Sequence, residues 1–319
     1  MININRLAYE IASQMISSPS TYNINICSIG GSTVLDLGVK ALGGVSAGVE
    51  LSKICLGGLG DVKLSLRRYG DLMLPVVELY TDHPLKACIA SQLAGWKIKV
   101  GNFFGMGSGP ARILARKPPE IYDYLGYSED SDLAILAIET NKMPSEDVIE
   151  YVSKETEIES SSIYILIAST DSIAGSIQVS ARVVETAIYK LYVLGYDIKN
   201  IVAGYGLCPI SPIYPDPLIM IGKTNDMLLY GGEVVLYIAD DDSKIQEYIN
   251  LVPSSSSKDY GVLITEKIKE IGPEFLYKVD SKLFAPASIT VNNLMTGSVF
   301  KAGDVNLTLL RKAILYPSK

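Results

Sequence analysis

Apolar and polar residues follow two different periods along this 319-residue chain. Near the start, Leu7, Ile11 and Met15 recur at helical spacing with Arg6 and Glu10 between them, which predicts an amphipathic helix. Val62 to Arg67 alternates with a period of two, as a half-buried strand does, and Pro75 to Tyr80 reads as another. The unbroken apolar run Leu133 to Ile138 predicts a strand buried on both faces, and Ile163 to Ala168 and Glu233 to Ile238 predict further strands. Ile26 to Gly31 and Ile54 to Gly58 look like two similar strand-to-turn units, with a short helix over Ser46 to Ile54 between them. His83 to Gly95 predicts a helix that ends at its glycine, and Ser176 to Leu194 a longer one. At 100° per residue, Val183, Val184, Ala187, Ile188, Leu191 and Leu194 share one side of that longer helix. Gln178, Arg182, Glu185, Tyr189 and Tyr192 share the other. Pro253 to Ser257 reads as a surface loop.

Strands and helices alternate, so the class is α/β or α+β with large mixed sheets. Fifteen of the 27 glycines lie between Gly30 and Gly109, which concentrates tight turns in the early half. The charged, serine-rich stretch Lys154 to Ser162 is the candidate boundary between a glycine-rich domain, 1–153, and a second domain, 154–319.

Composition then narrows the chemistry. Apolar residues make up 48% of the chain, enough for a sizeable core. With 28 basic and 35 acidic residues the net charge is −7, which leaves no electrostatic footprint for nucleic acid. No apolar run reaches the ~20 residues that span a bilayer, and the first helix is not a signal peptide, so a cytoplasmic protein is expected. Cys27, Cys55, Cys88 and Cys208 are far apart, which suggests buried free thiols in a reduced compartment. The chain has one histidine, His83, placed between Asp82 and Pro84 like a satisfied loop residue. Histidine-based zinc sites are therefore not expected, and acid–base work falls to Glu, Asp, Lys or Tyr.

Three stretches could carry chemistry. In Gly105-Met106-Gly107-Ser108-Gly109-Pro110-Ala111-Arg112, glycines could turn N–H groups toward an anion and Arg112 could reach a phosphate. The spacing matches neither a Walker loop nor a dinucleotide fingerprint, and a plain glycine-rich turn fits it as well. Thr224-Asn225-Asp226 reads as a turn ahead of the next strand, with Tyr230 nearby as a stacking surface. Arg182 and Glu185 are spatial neighbours on one helix. By spacing alone they make a solvated pair worth about 0.3–0.5 kcal/mol. Their Tyr and Gln neighbours suit a cleft wall better than an open surface.

Seven stretches then carry a resemblance: GGSTVLDLGVKALGG, ICLGGLG, TDHPLKACIASQLAGWKIKVGNFFGMGSGPAR, SARVVETAIYKLYVLGYD, PIYPDPLIMIGKTNDMLLYGG, PSSSSKDYG and FAPASITVNNLMTGSVFKAG. In this order, from about Gly30 to Gly303, they resemble the methenyltetrahydromethanopterin cyclohydrolases of archaeal one-carbon metabolism and some methylotrophic bacteria. The resemblance implies reversible addition of water to the 5,10-methenyl cation, giving the 5-formyl compound. It implies a family-specific fold of two α/β domains with mixed sheets around a deep pocket. It also implies a homotrimer, no metal, and no cofactor beyond the pterin substrate. The family's Arg-x-x-Glu falls on Arg182 and Glu185 as catalytic residues. Gln92, Gly107, Ser108, Gly109, Arg112, Thr224 and Asn225 fall on substrate-binding positions. At Leu93 some members carry a lysine, so a polar contact to the pterin is missing here. Two further readings are a non-catalytic pterin- or phosphate-binding descendant of the enzyme, and a hydrolase or transferase for another phosphorylated metabolite.

Overall fold

The structure, a computed structural model, describes residues 3–272 and 274–316. The chain divides into two compact units. Residues up to Asp61 and Leu85–Gln178 form the first, while Val62–Pro84 and the residues from Val179 onward form the second.

The first unit opens with α1 (Ile4–Ser17), α2 (Pro19–Tyr22), β1 (Asn25–Ile29), β2 (Ser32–Asp36) and α3 (Val45–Cys55). The chain then makes β3 (Asp61–Tyr69) and β4 (Leu72–Thr81), which belong to the second sheet. It re-enters the first unit through a π-helix (Leu85–Gln92), β5 (Trp96–Val100), β6 (Phe103–Ser108), α4 (Ala111–Ala115) and α5 (Pro119–Leu125). β7 (Ala134–Glu139), α6 (Glu146–Thr156), β8 (Ile163–Ala168) and α7 (Ile173–Ser180) follow. The six strands are ordered β1-β2-β8-β7-β6-β5, with β2, β8 and β7 parallel to one another.

β8 and β7 up to Ile138, together with Val34 and Leu35 of β2, are apolar because consecutive residues serve two cores. Leu35, Ile135 and Leu166 face Ala8, Met15, Leu51 and Ile54 of α1 and α3. Their chain neighbours Val34, Leu136 and Ile165 face Ala111, Val148 and Val152 of α4 and α6. A strand covered by helices on both faces has no side left for polar residues.

The second unit continues with α8 (Val183–Leu194), β9 (Ile201–Pro209), α9 (Pro217–Gly231), β10 (Glu233–Ile238) and α10 (Asp242–Ile249). α11 (Ile264–Ile271), α12 (Phe275–Lys278), β11 (Ser288–Asn293), β12 (Val299–Gly303) and α13 (Leu307–Leu315) complete it. Its sheet is ordered β12-β11-β10-β9-β4-β3 and is antiparallel at β4–β9, β9–β10 and β11–β12, with β10 and β11 parallel. The architecture is thus α/β with two mixed six-stranded sheets. Val183 and Val184 of α8 lie against Gly204 and Gly206 of β9, whereas Tyr205 between those glycines is exposed.

Several sequence expectations are corrected in physical terms. α1 buries Ile4, Ala8, Ala12 and Met15; Leu7 and Ile11 lie at the edge of that stripe. Ile54 and Cys55 end a helix rather than a strand, and Gly57 and Gly58 supply the positive φ that turns the chain away. Ser176 to Leu194 is two helices, broken at Ala181-Arg182. Ser254, placed in a surface loop, is buried with its Oγ donating 2.5 Å to the Leu229 carbonyl. Cys55, Cys88 and Cys208 are buried thiols, but Cys27 is exposed on β1. His83 does lie in a loop, its N–H on Thr81 Oγ1 at 3.0 Å. Residues 153 and 154 lie within α6, and the compact units are bounded at Asp61, Pro84 and Gln178.

Candidate active site

The break between α7 and α8 places the Arg-x-x-Glu pair. Arg182 sits at the N-cap of α8 with φ −84° and ψ 0°. Its N–H closes a tight turn to the Val179 carbonyl at 3.1 Å, and its own carbonyl accepts the first α8 bond, from Thr186 N at 2.9 Å. Ser180 ties the break to the end of β9, its Oγ 3.2 Å from the Pro209 carbonyl. Glu185 is therefore in the first turn of α8, where the free N–H groups favour a carboxylate.

The solvated-pair reading fails here. Glu185 is 4% exposed and Arg182 8%, with Nη1 and Oε2 3.7 Å apart. That separation is beyond hydrogen-bond reach, so the guanidinium supports the anion by charge attraction. Removing both ions from water costs several kcal/mol each, which an apolar pair would not incur. Net stability alone is therefore a weak reason for such a pair. Farther along the same face Tyr189 is exposed and Tyr192 half-buried, so only the start of the stripe is enclosed. Burial pushes the Cys208 thiol far up, out of reach of neutral pH. Burial lowers Lys190 to about 8, and its Nζ donates to the Lys282 carbonyl.

In the first unit, Gln92, Gly107, Ser108, Gly109 and Arg112 come together around the end of the π-helix. A π-helix bonds i to i+5 and so leaves its last carbonyls without helical partners. Here Arg112 Nη1 lies 3.3, 3.2 and 3.1 Å from the carbonyls of Ile89, Ala90 and Ser91. Tyr122 Oη donates to Ala90 at 2.8 Å, Gly109 N to Ser91 at 2.8 Å, and Ser108 Oγ to Gln92 at 2.6 Å. GMGSGPAR is therefore not an open anion loop. Its first half is strand β6, and Gly107 lies under Trp96, whose Cβ would stand 3.1 Å from an added Cβ. Arg112 is fully buried, with Nε also on the Lys117 carbonyl at 2.9 Å. It holds the carbonyls at the end of the π-helix and at Lys117. Gln92 is buried at the last position of the π-helix, and Leu93 follows with its N–H on Cys88 at 2.9 Å.

Thr224 and Asn225 lie within α9 rather than in a turn. Thr224 Oγ1 bonds the Met220 carbonyl at 2.9 Å and Asn225 Nδ2 the Ile221 carbonyl at 2.7 Å, both within their own helix. Their neighbours Lys223 and Asp226 hold other helices. Asp226 accepts from Ile264 N (2.7 Å), Thr265 N (3.1 Å) and Thr265 Oγ1 (2.6 Å) at the start of α11. Lys223 Nζ donates to Ala313 (2.9 Å), Ile314 (3.3 Å) and Tyr316 (2.7 Å) at the end of α13. Burial raises Asp226 to about 7 and lowers Lys223 to about 8.

Sequence reasoning passed over Lys223 and the glycines under α8, and read Asp226 as part of a turn. Glycines at alternate positions of a strand, Gly204-Tyr205-Gly206, are the signal that could have flagged a close backbone approach.

Comparison with known proteins follows the whole chain. The family described as Cyclohydrolase (MCH) matches residues 3–314. The methenyltetrahydromethanopterin cyclohydrolase of Methanocaldococcus jannaschii is 44% identical over 319 residues, 98% of each chain. That of Methanococcoides burtonii is 41% identical over 312 residues, 97% of each. That of Methanothermobacter marburgensis is 41% identical over 320 residues, 98% of this chain and 99% of its own.

Proposed function

The chain belongs to the methenyltetrahydromethanopterin cyclohydrolase family, and from that membership we propose that it is a hydrolase adding water to 5,10-methenyltetrahydromethanopterin. The product is the 5-formyl compound, and the reaction is reversible. The methenyl carbon lies between two nitrogens and carries delocalised positive charge, so it is already an electrophile. What the protein supplies is a better nucleophile than neutral water. Glu185 takes a proton from water as the oxygen bonds that carbon. In the second step the new hydroxyl loses its proton to solvent as C=O forms. The bond to the leaving nitrogen breaks, and that nitrogen receives the proton held by Glu185. One proton is released overall. Positioned general bases contribute roughly 10²–10⁴ in rate. Arg182 keeps the carboxylate charged and oriented, and the charge lost from the substrate on attack eases its repulsion with the guanidinium.

The observation that carries this reading is the enclosure of Glu185 and Arg182, 4% and 8% exposed, at a helix start in a chain matched end to end by cyclohydrolases. Retention of both residues disfavours a non-catalytic binding descendant. The same membership supports a homotrimer, cytoplasmic and independent of metal or further cofactor. Mixing the protein with the methenyl substrate and following its absorbance tests the activity: loss of the methenyl band at a rate proportional to enzyme is expected, and a binding shift without turnover refutes it. Sedimentation at three chain masses checks the trimer, and undiminished turnover after chelation checks metal independence.

A further inference from the structure

We propose that Gly204 and Gly206 of β9 are positioning residues for Glu185, their missing side chains setting how deeply the first turn of α8 seats on the sheet. The inference rests on the reading of Glu185 as the base.

A Cβ on Gly206 would lie 2.6 Å from Val183 Cγ1 and 2.6 Å from Val184 Cγ2; one on Gly204 would lie 2.8 Å from Val184 Cγ1. Ordinary carbon contacts need about 3.5–4.0 Å, so one methyl group demands a displacement of roughly 1 Å. Neither glycine has a positive φ, so backbone freedom is not the reason for their presence. Two glycines also weaken a strand interior, which leaves space as what they contribute.

The displacement has one outlet. Val183 and Val184 are fully buried and β-branched, and such side chains hold essentially one χ1 rotamer in a helix, so they do not swing aside. β9 is hydrogen-bonded along both edges: Gly206 pairs Val234 and Leu79, and Gly204 pairs Leu236 and Thr81. Gly232 confines the turn from a third side, its Cβ position 3.0 Å from Val183 Cγ2. The turn of α8 therefore rises. Val183, Val184 and Glu185 are consecutive in that turn, so the carboxylate moves with it.

The test is steady-state kinetics on Gly204→Ala, Gly206→Ala, Glu185→Gln and the pair Gly204→Ala/Val184→Ala, with the folded fraction of each read by circular dichroism. A shift of about 1 Å can cost up to ~10²-fold, so kcat of Gly206→Ala should fall between about 10- and 100-fold with KM changed less than about threefold. Gly204→Ala, which meets a single valine methyl, should lose less, and Val184→Ala added to it should restore most of that loss in kcat per folded enzyme, the quantity that a general loss of stability does not move. Wild-type kcat in Gly204→Ala and Gly206→Ala beside an inactive Glu185→Gln overturns the glycine inference alone. A loss in Gly204→Ala that Val184→Ala leaves unrelieved overturns it too. An active Glu185→Gln instead overturns the assignment of the base. If Gly206→Ala does not fold, the Gly204/Val184 cycle decides.

Discussion

Two helices of the second unit each bury a base and an acid three residues apart, in different surroundings. On α9, Lys223 and Asp226 face away to the ends of other helices: Asp226 caps the first N–H groups of α11, and Lys223 holds the last carbonyls of α13. Each charge complements the helix terminus it meets, so the pair acts as a structural rivet. At the start of α8, Arg182 and Glu185 face each other at 3.7 Å. A third pair at the same spacing, Lys267 and Glu270 on α11, is 35% and 61% exposed and touches at 2.6 Å. Spacing is thus indifferent to role, and burial alone does not mark chemistry. Lys223 and Asp226 are marked as a rivet by the helix ends that receive them.

The largest effect expected is on turnover. Glu185→Gln removes the base and keeps the shape, so kcat should fall by roughly 10²–10⁴ while the urea midpoint stays close to wild type. Arg182→Ala should lose less of it and shift the pH profile of kcat. Asp226→Ala should invert that pattern. Three donors lose their acceptor, which costs about 3 kcal/mol in urea unfolding, while kcat per folded enzyme stays within about twofold.

The third outcome is a pH signature for the rivet. Asp226 titrates near 7 in the fold against 3.8 unfolded, so the folded state holds its proton longer. Its contribution is present below pH 3.8 and is lost as pH rises to 7. Lys223 titrates near 8 against 10.5, so the folded state releases its proton first and stability rises from pH 8 to 10.5. The stability difference between wild type and Asp226→Asn should therefore slope across pH 4–7, and that between wild type and Lys223→Met across pH 8–10.5, as measured by unfolding at each pH. The smallest effect is expected at the solvated pair, where Glu270→Gln should change stability by about 0.2–0.5 kcal/mol.

Much of the sheet framework was legible along the chain. β7 and β8 were visible because a strand between two helical layers has almost no polar face, and β3 because its residues alternate with a strand's period, although Leu66 of the apolar set is exposed. The π-helix was not, since tertiary donors such as Arg112 and Ser108 satisfy carbonyls that a regular helix would not release. Strand β6 was hidden in glycines that look like a turn until Trp96 is seen packing over one of them. Thr224, Asn225 and Asp226 suggested a turn because pattern shows neither that the first two bond back within α9 nor that Asp226 meets α11, 38 positions away.

The residue order by itself determined family membership, the α/β class and the placing of Arg182 beside Glu185, because pattern, spacing and collinear motifs are local properties of a chain. Only the tertiary structure decided that this pair leaves water while Lys267 and Glu270 stay in it, that Arg112 holds backbone, and that Lys223 and Asp226 join helices. Solvent exposure and the identity of a charge's partner are set by residues distant in sequence, so the order of residues along the chain does not contain them.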